Sequence, residues 1–282
     1  MIKKVIISIL LVFFVGLSLS ESLDTKSSEQ LDSALTRSLT TFAVARGLNG
    51  LVSVVQGTEV NVSPAGVGAT FAPGQLLDPV NDMVERFSWV MLMSSVSIGV
   101  QEMMLHLGKT TLFKILCTVI TLLFLLQLWL PKLQLPWRVE WSFKVVVVLA
   151  VLRFSVPMLV MMNEAVYIYV LEPKYEHAFN EVSKTSDEVQ AMIEEVQTKQ
   201  SRVEKESSFL DSFNVSQKYE NYKLELKKSV DRFIDKFNDA MDSIIRLITV
   251  FIINSIIIPL AALWLFVYGL GSILRREFVL EL

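Results

Sequence analysis

Three stretches of this sequence are apolar over a longer distance than a soluble domain usually contains: residues 110–130, 145–170 and 247–270. The hydrocarbon core of a bilayer is about 30 Å thick, so a helix needs roughly 20 apolar residues to cross it. Each stretch reaches that length, and the whole chain is 52% hydrophobic and only 20% charged. We therefore predict a mainly α, helical integral membrane protein.

The N-terminus carries Lys3 and Lys4, followed by an apolar run over residues 5–19 that ends in small residues. This order of charge, apolar run and small residues is typical of a secretory signal. The run is also shorter than the roughly 20 residues of a spanning helix. We predict a signal peptide over residues 1–20, cleaved after Ser20, with an uncleaved N-terminal anchor as the alternative.

Positive charge lies at the N-terminus, between the first two long apolar stretches and directly after the third. Cytoplasmic ends of spanning helices are enriched in Lys and Arg, so all three clusters are assigned to the cytoplasm. We therefore predict a multi-pass protein of the bacterial cell inner membrane. The clusters are Lys3 with Lys4, Lys132 with Arg138, and Arg275 with Arg276.

This orientation divides the chain into segments that alternate between the membrane and its two faces. The segment after the signal is expected outside the cytoplasm, and so is the long charged segment between the second and third spans. The predicted segments are a periplasmic cap at 21–108, two transmembrane helices at 109–171 with a short cytoplasmic loop at 131–141, a periplasmic helical hairpin at 172–246, a transmembrane helix at 247–271 and a cytoplasmic tail at 272–282.

Residues 88–107 are also mostly apolar, although they include Gln101, Glu102 and His106. If this segment crossed the bilayer, every later segment would invert and the positive clusters would lie outside. We therefore predict a helix on the outer side that packs against the spans or dips partway into the membrane.

The rest of the predicted cap combines helix and strand signals. Apolar residues recur at helical spacing from Leu31, and Gly47 and Gly50 are expected to end or bend that helix. Two short strands are predicted at 59–62 and 69–72, with a turn-forming loop between them. The result is a small α+β extramembrane cap.

Four short sequence pieces in this region occur together at 56–60, 72–75, 77–82 and 85–88. They read Gln-Gly-Thr-Glu-Val, Ala-Pro-Gly-Gln, Leu-Asp-Pro-Val-Asn-Asp and Glu-Arg-Phe-Ser. The block resembles one found in an uncharacterised bacterial inner-membrane protein family. The resemblance implies no activity, and local turn and helix-cap geometry accounts for the same Gly, Pro and Asp residues.

Residues 172–246 differ from the rest because they hold more than half of the acidic residues and no glycine. Apolar residues recur every seven positions in both halves, which predicts a long antiparallel α-helical hairpin of coiled-coil type. A turn is expected between Asp211 and Lys218. The candidate interaction seam comprises Val182, Val189, Val196, Val203 and Leu210 in the first arm, and Phe233 and Phe237 in the second.

A coiled-coil seam uses two positions in each heptad. In the first arm one position holds the valines, and the other includes Ser186 and Gln200, so the seam is half polar. Such a seam holds two helices weakly, so we expect further packing by another membrane or periplasmic protein, or by self-association. A solvated spacer that packs only on itself is the alternative.

The chain has few residues of the kind that carry catalysis. It has one cysteine, Cys117, and two histidines, His106 and His177, and it lacks phosphate-binding, dinucleotide-binding and nucleophile-elbow motifs. We expect no enzyme activity, no cofactor and no metal. The net charge of −3 argues against a nucleic-acid partner, and membrane lipid is expected to surround the spans.

A few residues inside the apolar segments interrupt them and are candidates for a functional or structural role. Arg153 lies near the middle of the second span, where a charge is unfavourable unless it faces protein or water. Its expected partner is Glu164 of a neighbouring copy, with Glu102 as a second candidate. The full set is Arg153, Glu164, Asn254, Pro157, Pro259 and Glu102.

These observations favour a non-enzymatic integral membrane protein of the bacterial envelope. Its periplasmic coiled-coil hairpin would serve in scaffolding, sensing or partner recruitment. The alternative is a subunit of an oligomeric transporter or channel, with Arg153 and Glu164 near the path. A membrane-bound enzyme is the third hypothesis, but no set of residues specifies a reaction.

Overall fold

The computed structural model describes residues 2–56, 60–62, 69–71, 77–130, 139–207 and 215–275. The described chain is almost entirely helical, which confirms the predicted mainly α class. The helices are α1 (Ile2–Leu19), α2 (Ser22–Gln56), α3 (Asp78–Lys109), α4 (Thr111–Trp129), α5 (Val139–Val166), α6 (Glu172–Ser207), α7 (Val215–Ile252) and α8 (Ile258–Arg275).

Two short π-helical segments interrupt the long helices. The first, π1 (Tyr167–Leu171), joins α5 to α6, and the second, π2 (Ile253–Ile257), joins α7 to α8. Each ends two residues before a proline, Pro173 or Pro259. A proline removes one backbone donor and crowds the preceding turn, so a local widening of the helix is expected there.

The described residues form two compact units. The membrane unit contains the described residues within Met1–Thr36, Ser95–Tyr169 and Ile253–Leu282. The hairpin unit contains the described residues within Arg37–Ser94 and Val170–Ile252. Each unit has a core of its own.

Five helices in the described chain are long and apolar enough to cross a membrane, which supports a multi-pass membrane protein. Three were expected from the sequence, and the two additional helices are Ser22–Gln56 and Asp78–Lys109. The first was not predicted as a span, and the second was placed on the outer side because a crossing there would invert the positive clusters. The helix Asp78–Lys109 contains the segment 88–107, which was expected on the outer side.

Apolar side chains of the membrane unit pack into two clusters. In one, Leu11 of α1 meets Phe124 and Leu128 of α4 and Val146 of α5. In the other, residues of α2, α3 and α5 come together: Leu31, Ile98, Leu105, Val156 and Val160. Many other apolar side chains on α3, α4, α5 and α8 are exposed, as expected for helices that face lipid.

The region predicted as a small α+β cap is mainly helical where it is described. The helix expected from Leu31 begins at Ser22 and continues through Gly47 and Gly50 to Gln56. The β component consists of two three-residue strands, β1 (Val60–Val62) and β2 (Ala69–Phe71), which pair antiparallel. Neither glycine breaks the helix, because the isolated loss of about 1 kcal/mol at each is small beside the packing of a 35-residue helix.

The hairpin unit is built on α6 and α7, which pack against each other. The apolar residues of α7 at spacings of three and four are buried, and they face buried valines of α6. Polar contacts flank this packing: Lys236 Nζ lies 2.7 Å from Glu188 Oε2, and the Ser243 hydroxyl donates to Glu181. The buried residues of the two helices include Ala178, Val182, Val189, Ile193, Val230, Phe233, Phe237, Ala240 and Ile244.

Candidate functional site

The most unusual group in the membrane unit is Arg153 on α5. Its side chain is only 1% exposed, although it carries a full charge. A guanidinium in an apolar environment needs partners for its N–H groups. Two of them are supplied by Asp24: Arg153 Nη1 donates to Oδ1 at 2.8 Å and Nη2 donates to Oδ2 at 2.7 Å.

Two further groups complete this buried charge cluster. Arg153 Nη2 also donates to the carbonyl oxygen of Ser18 at 3.2 Å. Lys114 of α4 places its Nζ 3.2 Å from Asp24 Oδ2, and its side chain is 14% exposed. The buried charge cluster is therefore defined as Asp24, Lys114 and Arg153, two cations that share one carboxylate. The fork of the guanidinium matches the carboxylate, which favours this pairing over a single-point contact.

The sequence-based prediction for the partner of Arg153 was wrong. Arg153 bonds Asp24 of the same chain and requires neither Glu164 of another copy nor Glu102. Glu102 instead faces His106 one turn away on α3, with Oε1 3.9 Å from Nε2, and both side chains are well exposed. The prediction failed because Asp24 lies in the segment assigned to the periplasmic cap, whereas the structure places it in the first turn of α2, an apolar helix of the membrane unit.

The N-terminal helix α1 packs closely against α4 and α5. The Phe14 ring meets Phe154 edge to face at 5.6 Å, and Trp129 Nε1 donates to the Ser8 hydroxyl at 2.9 Å. Ser18, close to the expected cleavage position, is fully buried. The signal peptide cleaved after Ser20 stays a prediction, with the retained anchor as its alternative.

A second polar arrangement surrounds Pro259, Asn254 and the π2 segment. Pro259 has no N–H, so the carbonyl of Ser255, four residues earlier, lacks its usual helical donor. The Ser97 hydroxyl of α3 replaces that donor, with an O···O distance of 2.6 Å. Asn254 is buried beside it. The expected kink at Pro259 thus takes the form of a π-helical segment whose freed carbonyl is bonded from another helix.

Pro157 has a comparable effect on α5, where it is buried. The carbonyl that loses its helical donor is that of Arg153 itself. Gly108, near the end of α3, lies against this position: a Cβ placed on it would be 4.0 Å from the Arg153 carbonyl oxygen. The end of α3 therefore approaches the buried charge cluster closely.

The predicted seam residues are placed along the contact between α6 and α7. Val182, Val189, Phe233 and Phe237 are buried, and Val196 is half-buried. Val203 and Leu210 lie outside the residues whose side chains are described. Their use as a binding surface stays a prediction.

The chemistry of the buried charge cluster is that of a structural ion pair. It has no nucleophile activated by a base, and no group of three or more His, Cys, Asp or Glu in the described part of the chain can hold a metal ion. Its geometry joins α1, α2, α4 and α5 through charge-assisted hydrogen bonds. Holding these helices together is the role that the arrangement can perform.

Sequence reasoning identified Arg153 but missed Asp24 and the part played by Lys114. One signal was available, because an arginine inside a span requires an anion and Asp24 follows the first apolar helix by only a few residues. The bond from Ser97 to Ser255 had no comparable signal, since serine is common in helices and the two residues are far apart in the chain.

The fold and the buried charge cluster define a multi-pass helical membrane protein. Comparisons with protein-family models, curated proteins and solved structures found no match for this chain. The resemblance of the block within residues 56–88 to uncharacterised bacterial membrane proteins therefore stays a prediction.

Proposed function

We propose that this protein is a non-enzymatic multi-pass protein of the bacterial inner membrane that presents the α6/α7 hairpin outside the cytoplasm as a docking element for another protein. The observation that carries the proposal is that both arms of the hairpin continue helices long and apolar enough to span a membrane. Val139–Thr198 and Lys227–Arg275 each qualify as a candidate span, with helical structure continuing through π1 and π2. An element anchored at both ends is held in a defined position, which suits recruitment.

The division of polar and apolar side chains on the hairpin supports this role. The apolar residues of α6 and α7 face each other, while charged residues such as Lys184, Glu194 and Arg232 are exposed. Exposed charge keeps the hairpin solvated and offers complementary groups to a partner. In the first arm, the second heptad position of the seam is partly polar and packs weakly. This allows additional packing by that partner.

The positive-inside rule supports the orientation. Lys144 lies near the start of α5 and Arg275 at the end of α8, close in the sequence to further cationic residues and away, along the chain, from the ends that continue into α6 and α7. This distribution favours a cytoplasmic location for those ends and a periplasmic location for the hairpin.

The alternative of a transporter subunit loses its main support from the structure. It placed Arg153 and Glu164 near the transport path of an oligomer. Arg153 is instead buried and bonded to Asp24 and to the Ser18 carbonyl. A charge fixed in this way holds helices together and is not available to a passing substrate.

Cysteine labelling tests the orientation. In a Cys117→Ala background, Gln190→Cys on the exposed side of α6 should react with a membrane-impermeant maleimide in intact spheroplasts. Ser272→Cys, exposed near the end of α8, should react only after lysis. The reverse pattern would refute the proposed orientation.

Photo-crosslinking tests recruitment. A benzophenone amino acid at Gln190 or Glu194, both exposed, should trap the same second protein in cells, identified by mass spectrometry. The matched control is the same amino acid at the buried Val189, which should react within the chain. If the exposed positions yield only intrachain products, the docking role is wrong.

A further inference from the structure

A cavity of about 290 Å³ lies between α3, α5 and α8 in the membrane unit. Its lining is largely apolar, and the rim includes Val100, Leu260 and Leu263, each at least half exposed. All three helices belong to segments apolar enough to span a bilayer. Exposed apolar side chains there meet lipid, so the cavity is accessible from the hydrocarbon of the membrane.

The cavity contains one buried polar group whose hydrogen bonding is incomplete. Gln101 lines it and is only 6% exposed. Its Nε2 donates to the Ser97 carbonyl at 3.3 Å, but its Oε1 has no hydrogen-bond partner among the described residues. A buried acceptor without a donor is unfavourable, and hydrocarbon offers no water to replace the donor.

Ser97, the other polar residue of α3 among the described lining residues, does not supply that donor. The hydroxyl hydrogen of Ser97 is committed to the carbonyl of Ser255 at 2.6 Å, the group that Pro259 leaves without a helical donor. The open acceptor therefore belongs to the lining, and π2 ends two residues before the lining residue Pro259. π-Helical segments are frequent at functional sites.

The charge of the lining restricts what can bind. Every residue that lines the cavity is uncharged, so neither a phosphate nor an ammonium head would find a counter-charge. The open acceptor requires a neutral donor, and the apolar lining requires a hydrocarbon chain. A hydroxyl-bearing neutral lipid meets both requirements.

We propose that the cavity binds a neutral membrane lipid of the monoacylglycerol type, whose head hydroxyl donates to Gln101 Oε1 and whose chain follows the apolar rim between α3 and α8. The proposal stands apart from the docking role of the hairpin. Its test therefore reads out the membrane unit alone.

The probe is a monoacylglycerol with a diazirine in its chain, added to the full-length protein purified in detergent. A matched probe carries the same chain with both head hydroxyls methylated. Peptides of α3 and α8 should be labelled about five to ten times more strongly by the hydroxyl probe, since one hydrogen bond to a buried acceptor separates the two. Unlabelled monoacylglycerol should compete.

Three variants make the result specific. Gln101→Leu should reduce labelling by the hydroxyl probe to the level of the methylated probe. Val100→Phe, on the half-exposed rim, should fill the cavity and abolish labelling, whereas Met103→Phe, 71% exposed on α3 and outside the lining, should not. Thermal unfolding and gel filtration of each variant show that it folds.

Equal labelling by the two probes would overturn the assignment of Gln101 as the recognising group. Equal loss of labelling in Val100→Phe and Met103→Phe, or label spread evenly over all exposed helix faces, would show general lipid solvation and refute the site. Both outcomes are measurable in well-folded variants, because Val100 and Met103 are exposed enough to accept a larger side chain.

Discussion

Replacing Asp24 with Leu should destabilise the protein more than any other single change in the buried charge cluster. Asp24 accepts two hydrogen bonds from Arg153 at 2.7 and 2.8 Å, and Lys114 lies 3.2 Å from the same carboxylate. Without the carboxylate, two cations face each other in an apolar environment. Removing one partner of a buried pair costs about 3–5 kcal/mol, and we expect a value near the upper end here.

The reciprocal and double variants separate the pair from its parts. Arg153→Leu leaves Asp24 with Lys114 as a counter-charge, so the expected loss is about 3 kcal/mol. In the Asp24→Leu/Arg153→Leu double variant only Lys114 remains charged, and its partial exposure lets the ammonium turn towards solvent. The double variant should therefore be more stable than the sum of the single losses predicts, with a coupling of about 2–3 kcal/mol.

The measurement is equilibrium unfolding in mixed detergent and SDS micelles, followed by tryptophan fluorescence. Lys114→Met serves as the control, because Asp24 keeps its two bonds to Arg153 and the loss should stay below about 1 kcal/mol. The reasoning is refuted if Asp24→Leu costs less than about 1 kcal/mol, or if the two single losses simply add in the double variant.

Three further outcomes are expected. Ser97→Ala should lower the free energy of unfolding by about 1–3 kcal/mol, because the Ser255 carbonyl loses its only donor that the structure describes; an unchanged SDS unfolding curve would contradict this. Phe237→Ala in the α6/α7 contact should cost about 3–5 kcal/mol, against less than about 0.5 kcal/mol for the exposed Leu224→Ala, both measured by circular dichroism; equal losses would show that the seam does not hold the hairpin together. Because α1 is packed into the membrane unit, the intact mass of the purified protein should include residues 1–20, and a uniformly shorter species would show that the helix is cleaved.

The class of protein followed from the sequence because apolar length is a local property. A run such as 110–130 is too long and too apolar for most soluble domains, and no distant residue changes that. Apolar residues recur at spacings of three and four, at positions 230, 233, 237, 240 and 244. This pattern likewise predicted which face of α7 is buried. Periodicity of three and four residues is set by helix geometry alone.

Boundaries were predicted less well than the helices themselves. The helix expected from Leu31 begins at Ser22. The polar residues before Leu31 resemble a loop in sequence. Tertiary packing of the apolar part stabilises the longer helix. A prediction from a short stretch of sequence does not include the free energy of that packing.

What the sequence determined by itself is which segments are helical and apolar, and that Arg153 requires an anion. The identity of that anion was decided only by the tertiary structure, which brings Asp24 of α2 and Lys114 of α4 to the same point on α5. The same holds for the Ser97 hydroxyl on the Ser255 carbonyl. Helix periodicity acts over a few residues, whereas these contacts join residues from 90 to 158 positions apart. Their partners are selected by how whole helices pack, because each buried polar group must find its donor or acceptor in the folded chain.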